Sequence, residues 1–291
     1  MTTPTLQSLT PVISPGFLAA DTDPAKADWV MLGFPFDGTC SFRPGTRFGP
    51  AAVRAASQGV ETYSPRQDRD LEDLNFADMG DLDLAIGDAA KALEQIETAA
   101  ASVLAEGKKL VGIGGEHLVS YPLIKAAFEQ YPDLKVVQFD AHADLRDSYL
   151  DTGLSHACVM RRVVELLGPE ALLQVGIRSG TRDEFAWMKE NKTLMASFEQ
   201  FHSRLLPWLK TNTPIYLTID VDIIDPSFLP GTGTPEPEGF TLTELLNWVS
   251  PLKTANIVGF DVVELSPHYD HSGMSAVTVA KLLRELLLMI G

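Results

Sequence analysis

Residues 135–144 read Lys-Val-Val-Gln-Phe-Asp-Ala-His-Ala-Asp. The apolar, β-branched run from Lys135 to Phe139 is typical of a buried strand. Three side chains that can bind a metal follow it at a spacing of two. If the strand continues through them, they lie on one face, because side chains alternate along a strand. The stretch therefore predicts a strand that ends in half of a metal site, formed by Asp140, His142 and Asp144.

A second strand-like run ends in the same way about eighty residues later in the chain. The apolar run from Ile215 to Ile219 leads into Asp220 and Asp222, again two residues apart. Pro226 then ends the strand pattern, because proline cannot donate to a sheet. These two acids are the predicted second half of the metal site.

Two further apolar runs also end in polar side chains. Residues 110–113 run into His117, and residues 257–260 run into Asp261 and Glu264. Four predicted strands thus deliver acids or imidazoles at their C-terminal ends. In open α/β sheets, ligands bind at that edge.

Each motif also has a purely structural explanation. Asp220 and Asp222 are compatible with ordinary turn chemistry, and His117 with a loop histidine. Several carboxylates at a buried strand end are nevertheless unfavourable unless they are paired or bind a cation. One metal site accounts for all the residues together, so we predict these ligands: His117, Asp140, His142, Asp144, Asp220 and Asp222.

The chain resembles the ureohydrolases, the family of arginases and agmatinases, in several motifs that recur in the same order. These motifs are Gly114-Gly-Glu-His117, Asp140-Ala-His-Ala-Asp144, Ser155-His156, and Asp220-Val-Asp-Ile-Ile-Asp-Pro226 followed by Pro230-Gly-Thr-Gly-Thr-Pro235. The resemblance runs from about Trp29 onward. Residues 155–161 and 176–180 look most like those of bacterial agmatinases.

The alternation of strand and helix patterns predicts an α/β fold. Helices are predicted over residues 89–106, 118–130, 161–167, 198–210, 241–252 and 275–289. Strands separated by helices favour a parallel sheet with helices on both faces, and the resemblance implies the family's three-layer α/β/α, arginase-like fold with a mostly parallel sheet. We predict an extended N-terminal arm over residues 1–28 and a single catalytic domain over residues 29–291.

Composition limits the partners that the protein can have. Acidic residues outnumber basic ones by 39 to 23, and a formal charge of −16 repels nucleic acid and favours small cations as ligands. The alternative is that this charge only keeps the protein soluble. No apolar run is long enough to span a bilayer and no signal-peptide pattern is present, which predicts a soluble, cytoplasmic protein. With only Cys40 and Cys158, neither a disulfide framework nor a zinc–cysteine site is expected.

The resemblance implies a homo-oligomer, either a trimer or a hexamer.

The predicted ligands also indicate the type of metal. Two imidazoles and four carboxylates suit Mn(II), with zinc, cobalt and iron as alternatives. The resemblance implies two ions per subunit. One would be held by His117, Asp140, Asp144 and Asp220, and the other by Asp140, His142, Asp220 and Asp222. Asp140 and Asp220 would then bridge the two ions.

The resemblance also implies roles for two other residues. Glu264 corresponds to the glutamate that binds the guanidinium of the substrate, a planar cation that a carboxylate can hold through two parallel hydrogen bonds. His156 corresponds to the histidine that transfers a proton. An imidazole with an ordinary pKa of about 6.5 can donate and recover a proton near neutral pH. The alternatives are that Glu264 is a surface acid at a strand end and that His156 caps a helix.

The predicted activity is hydrolysis of agmatine, a small cationic guanidine, to putrescine and urea. Asp147 and Asp151, in the loop before His156, are predicted to receive the distal ammonium of agmatine. Arg146 favours instead a substrate with a carboxylate, such as 4-guanidinobutyrate. Arginine, free guanidine and formiminoglutamate are further alternatives, as are an amide hydrolase related to histone deacetylases and a metal-binding subunit without turnover. Glu116 and Glu238 stand where the family frequently has aspartate and glycine, respectively.

Overall fold

The computed structural model describes Thr5, Leu6, Leu9 and residues 16–291. Within this part of the chain, the strands are β1 Trp29–Phe34, β2 Tyr63–Ser64, β3 Arg69–Asp70, β4 Phe76–Asp81, β5 Lys109–Gly114, β6 Lys135–Phe139, β7 Leu172–Val175, β8 Leu194–Met195, β9 Pro214–Asp220 and β10 Asn256–Val263. The α-helices are α1 Gly49–Ser57, α2 Ala89–Ala105, α3 Ser120–Gln130, α4 Val159–Leu167, α5 Arg182–Asn191, α6 Phe198–Lys210, α7 Leu242–Val249 and α8 Met274–Ile290.

The central sheet has eight strands in the order β4-β1-β5-β10-β9-β6-β7-β8. Every neighbouring pair in it is parallel, whereas β2 and β3 form a separate antiparallel pair. The central strands are buried throughout or nearly so. Strands covered on both faces read as continuous apolar runs, which is why the sequence patterns of β5, β6, β9 and β10 are recognisable.

Helices cover both faces of the sheet. One hydrophobic core contains side chains of α1, α6, α7 and α8 packed against the sheet. The other core contains side chains of α2, α3, α4 and α5. This arrangement confirms the predicted three-layer α/β/α fold with a parallel central sheet.

The predicted helices agree with the structure to within a few residues, and α6 has the predicted bounds. Helices α1 and α5 were not among the predictions. α5 has few apolar residues, and of its ten residues only Glu184 and Met188 are buried. The pattern therefore lacks an apolar stripe, although the capping box that Thr181 forms with Glu184 is a local signal for a helix start.

The expectation that β6 continues through Asp140, His142 and Asp144 is wrong. The strand ends at Phe139, because Asp140 Oδ1 accepts a hydrogen bond from the backbone N–H of His142 at 2.6 Å and so closes a turn. Asp144 has a φ of 53°, which belongs to the left-handed region. These side chains therefore reach the edge of the sheet from a tight loop.

The N-terminal arm predicted for residues 1–28 lies partly outside the described residues. Among those described, Leu6 and Phe17 are buried in the two cores. Asp78 Oδ2 also accepts a hydrogen bond from the backbone N–H of Phe17 at 2.7 Å. The boundary at residue 28 remains a prediction. None of the described helices has the length and apolar character that crossing a membrane requires.

Candidate metal centre and active site

Strands β5, β10, β9 and β6 are consecutive neighbours in the sheet. Because they are parallel, their C-terminal ends meet at one edge, where α/β sheets bind ligands. His117 follows β5, Asp140 follows β6 and Asp220 ends β9. The topology therefore brings together side chains that lie more than a hundred residues apart in the chain.

The first cluster surrounds His117. Its Nδ1 lies 2.9 Å from Asp140 Oδ2, 3.1 Å from Asp144 Oδ2 and 3.5 Å from Asp220 Oδ2. All four side chains are buried, and His117 Nδ1 makes no hydrogen bond of acceptable geometry within the described part of the chain. A buried ring nitrogen facing three carboxylate oxygens fits a divalent cation.

The second cluster lies beside the first. His142 Nδ1 is 2.9 Å from Asp222 Oδ2 and 3.8 Å from Asp140 Oδ1. Candidate ligand atoms of Asp140, His142 and Asp222 lie within 4.8 Å of one another, as do those of His117, Asp140 and Asp220. Asp140 belongs to both groups. The structure thus brings all six predicted ligands together, and their role as ligands remains a prediction.

Backbone and amide donors hold these carboxylates in position. Asp220 Oδ1 accepts from the backbone N–H of Asp222 at 2.9 Å, a turn like the one at Asp140. Asp222 Oδ1 accepts from the N–H of Ala141 at 3.1 Å, and Asp140 Oδ2 accepts from Gln138 Nε2 at 2.7 Å. The turn chemistry considered as a structural alternative is therefore present. The turns use Oδ1 of Asp140 and Oδ1 of Asp220, and the Oδ2 atoms of both residues face His117 Nδ1.

Without cations, the two clusters retain protons. Burial raises the pKa of Asp140 to about 7, and Asp144 and Asp222 contribute to that rise. Burial also raises the pKa of Asp220 well above its ordinary value. Burial alone would lower the pKa of His142, but the adjacent Asp222 raises it to about 10. So much buried negative charge is stable only with protons or metal ions among the carboxylates.

His156 lies beside the metal centre. Its Nε2 is 2.9 Å from Ser41 Oγ, its Nδ1 is 3.9 Å from Glu264 Oε1, and its backbone N–H donates to Thr39 Oγ1 at 3.0 Å. Burial lowers the pKa of His156, and Asp144 partly opposes that decrease. The helix-capping alternative does not hold, because Ser155 is the residue that caps the turn containing His156.

Glu264 is buried at 2% exposure, so it is not a surface acid. Its Oε1 accepts from the backbone N–H of His117 at 2.8 Å, and its φ of 68° lies in the left-handed region. Burial raises the pKa of Glu264 well above its ordinary value, and the nearby Glu116 adds to the rise. Glu116 is itself buried and accepts hydrogen bonds from both the backbone N–H and the hydroxyl of Thr39. Thr39 in turn accepts from the N–H of His156, so Glu116 supports the position of His156.

A cavity of about 250 Å³ opens onto this centre. Its lining includes His142, Asp144, Asp220 and His156 from the predictions, and also Ser41, Ala143, Arg146, Tyr149, Ala157, Ser179, Gly180, Glu184 and Thr234. Asp147, Asp151 and Glu264 do not line it, and neither do the predicted ligands His117, Asp140 and Asp222. Asp147 pairs with Arg162 at 3.2 Å, with its side chain 78% exposed, and Asp151 is exposed.

Glu184 is the acid that the sequence patterns missed in this cavity. Its side chain is 6% exposed, and it accepts from the backbone N–H groups of Leu145 at 2.9 Å and Thr181 at 2.7 Å. Arg146 Nε lies 4.0 Å from Glu184 Oε2, and the guanidinium of Arg146 stands 4.6 Å over the ring of Tyr149. The sequence signal at Glu184 is that of a helix cap, and nothing local to it indicates a cavity.

Comparisons with known proteins are consistent with this geometry. Residues 27–289 match a family model described as the arginase family. An agmatinase of Bacillus subtilis (strain 168) is 46% identical, with 94% of this chain and 95% of that protein covered. The crystal structure of agmatine ureohydrolase of Thermoplasma volcanium is 30% identical with a TM-score of 0.84, with 96% of this chain and 95% of that chain covered. The proclavaminate amidino hydrolase of Streptomyces clavuligerus is also 30% identical with a TM-score of 0.84, with 97% of this chain and 99% of that chain covered.

Proposed function

The chain belongs to the arginase family, and on that premise we propose that it hydrolyses the guanidinium group of agmatine to putrescine and urea with two divalent metal ions. It is an agmatinase-like ureohydrolase. The observation that carries the proposal is the pair of clusters that share the buried Asp140, of which His142 and Asp220 line the cavity.

The metal ions are assigned to the two clusters. His117, Asp140, Asp144 and Asp220 would hold one ion, and Asp140, His142, Asp220 and Asp222 the other. The oxygen-rich set favours Mn(II), although other divalent metals suit the same residues. When bound, two such cations would lower the pKa of a water molecule at the centre, which would supply a nucleophile near neutral pH.

Two residues of the chain act on the substrate itself. Glu264 receives the planar guanidinium through charge-assisted hydrogen bonds, and so holds the carbon that is attacked. His156 transfers a proton to the departing amine, and Ser41 holds the Nε2 of its ring at 2.9 Å. Because burial lowers the pKa of His156, its ring is neutral near neutral pH, so it first accepts the proton released by the attacking water and then gives that proton to the amine.

The distal ammonium of agmatine needs an acidic partner. We propose Glu184 for that role, because its carboxylate is in the cavity wall whereas Asp147 and Asp151 lie outside the lining. Participation of Asp147 and Asp151 remains a prediction. Arginine would bring a carboxylate beside Glu184. Unless Arg146, 4.0 Å from Glu184, turns to pair with that carboxylate, the charge is buried without its partner, which costs a few kcal/mol.

Urea release from agmatine, arginine, 4-guanidinobutyrate and guanidine, measured side by side with Mn(II), tests the proposal. We expect kcat/KM for agmatine to exceed that for arginine by at least about a hundredfold, since each ~1.4 kcal/mol is a factor of ten. Glu184→Gln should reduce this ratio. Similar rates on agmatine and arginine would overturn agmatine selectivity and leave the family assignment standing.

A carboxylate-bearing guanidine is the second candidate substrate. The observation in its favour is Arg146, whose guanidinium lies in the cavity wall beside Tyr149. A preference for 4-guanidinobutyrate that disappears in Arg146→Ala would establish this candidate.

We also propose, from the family resemblance, that the protein forms a trimer or hexamer. A measurement of its mass in solution tests this.

A further inference from the structure

The Nε2 of His117 points away from the candidate metal centre and into a chain of buried hydrogen bonds. Nε2 lies 3.0 Å from Thr218 Oγ1, and Thr218 Oγ1 lies 2.6 Å from Asp261 Oδ1. The other oxygen of Asp261 accepts from the hydroxyl of Tyr216 at 2.8 Å. All four side chains are at most 1% exposed.

The register of the sheet places these groups together. Thr218 of β9 is the direct partner of Asp261 on β10, and Tyr216 shares the face of Thr218 because side chains alternate along a strand. On the far side of Asp261, a Cβ at Gly112 of β5 would lie 2.8 Å from Asp261 Cβ. Only a glycine leaves room there, so Asp261 is packed tightly on that side.

The direction of each hydrogen bond follows from the number of protons available. A carboxylate only accepts, and the Thr218 hydroxyl has a single proton to donate. The 2.6 Å contact with the carboxylate is the shortest that Thr218 makes, compared with 3.0 Å to His117 and 3.3 Å to Ser120 Oγ. Thr218 therefore donates to Asp261 and offers His117 only lone pairs, so the Nε2 of His117 must carry a hydrogen.

We infer that Asp261, acting through Thr218, holds His117 with its hydrogen on Nε2 and directs the lone pair of Nδ1 at the metal ion nearest His117. This inference deepens the proposed function and rests on it. Hydrogen bonds from a histidine ligand to an outer acceptor fix its tautomer and orientation, and their loss typically weakens metal binding about 10- to 100-fold. Thr218 and Asp261 are thus positioning residues that touch neither substrate nor metal.

His142 provides an internal comparison. Its side chain is 26% exposed and lines the cavity, whereas His117 is enclosed by the sheet. Loss of the Thr218 hydroxyl should therefore weaken binding of the ion held by His117 more than that of the ion held by His142.

Calorimetric titration of the metal-free protein with Mn(II) tests the inference. Thr218→Val keeps the shape of the side chain but removes its hydroxyl, and we expect one of two binding events to weaken about 10- to 100-fold. Thr218→Ser keeps the hydroxyl and should restore the parental affinity. Tyr216→Phe removes a donor to Asp261 that is not on the path to His117, so it is the matched control and should bind both ions as the parent does.

Asp261→Asn provides a second route if the valine variant fails to fold. An amide can donate to Thr218, which reverses the direction of the hydrogen-bond chain, and it should weaken the same binding event. If Thr218→Val binds both Mn(II) ions with the parental affinities, the inference is overturned while the metal centre stands. If Thr218→Val does not fold, the same result in Asp261→Asn overturns it. A parent protein that binds no Mn(II) would overturn both the metal centre and the inference.

Discussion

Glu238 has a φ of 67°, in the left-handed region where most side chains are strained. Glycine, which the family resemblance leads us to expect at this position, adopts the left-handed conformation more readily. The left-handed conformation costs a residue with a Cβ roughly 1–2 kcal/mol. Glycine avoids that cost but loses about 0.5–1 kcal/mol more conformational entropy on folding.

Glu238→Gly should therefore raise the free energy of unfolding by about 0.5–1 kcal/mol. Denaturant titration of the metal-free protein measures the change. Glu129→Gly is the control, because Glu129 is an exposed residue within α3 and its replacement should lower stability by roughly 0.5–1 kcal/mol. A decrease in stability for Glu238→Gly would show that the side chain makes a compensating contact.

His156 and Glu264 are expected to affect different kinetic constants. His156→Ala should lower kcat about 10²- to 10⁴-fold, the usual contribution of a well-placed acid or base, with the metal content unchanged. Glu264→Gln should impair substrate binding more, because the charge-assisted pair with the guanidinium is lost. Steady-state kinetics on agmatine with metal analysis distinguish the two. A His156 variant with parental kcat would remove this residue from the proton-transfer step.

At the scale of elements, two turns at strand ends form the metal centre. Asp140 and Asp220 each use one oxygen to close a turn onto the backbone N–H two residues later. Their other oxygens face His117. The same carboxylate thus ends the strand locally and contributes negative charge to the centre.

Asp140→Asn separates these two roles. The amide oxygen of asparagine can still accept from the N–H of His142, so the turn after β6 and the fold should persist. The substituted carboxylate is shared by both clusters, so we expect Mn(II) binding to weaken at both sites and urea release to be lost. Circular dichroism and metal analysis test the two halves of this prediction. Normal metal content would contradict the assignment of Asp140 to both clusters.

At the scale of the whole molecule, the buried acids make stability depend on pH and on metal. Asp140 has a folded pKa of about 7 against an ordinary value of 3.8. Between these values Asp140 binds a proton in the folded metal-free protein that the unfolded chain has released, so the contribution of Asp140 to stability falls as pH rises from about 4 to about 7. Metal ions remove this loss, because they replace the proton in the cluster.

The increase in Tm caused by Mn(II) should therefore be larger at pH 8 than at pH 5.5. Thermal unfolding with and without Mn(II) at both pH values measures it. In the absence of metal, Asp140→Asn is the reference: it has no carboxyl group at that position to titrate, so the Tm of the metal-free variant should fall less between pH 5.5 and pH 8 than the Tm of the metal-free parent. An equal Tm increase at both pH values in the parent would contradict proton displacement from the centre.

The amino-acid sequence was enough to predict the α/β class, the four central strands and the six residues that meet at their ends. It could do so because each of these depends on local patterns, such as an apolar run that stops at an acid. The folded chain alone shows that Glu184 lines the cavity and that Asp147 and Asp151 do not, because the sequence pattern at Glu184 is only that of a helix cap. It also joined His117, Thr218 and Asp261, which lie on different elements. Contacts between distant segments depend on strand order and register, and no local pattern encodes them.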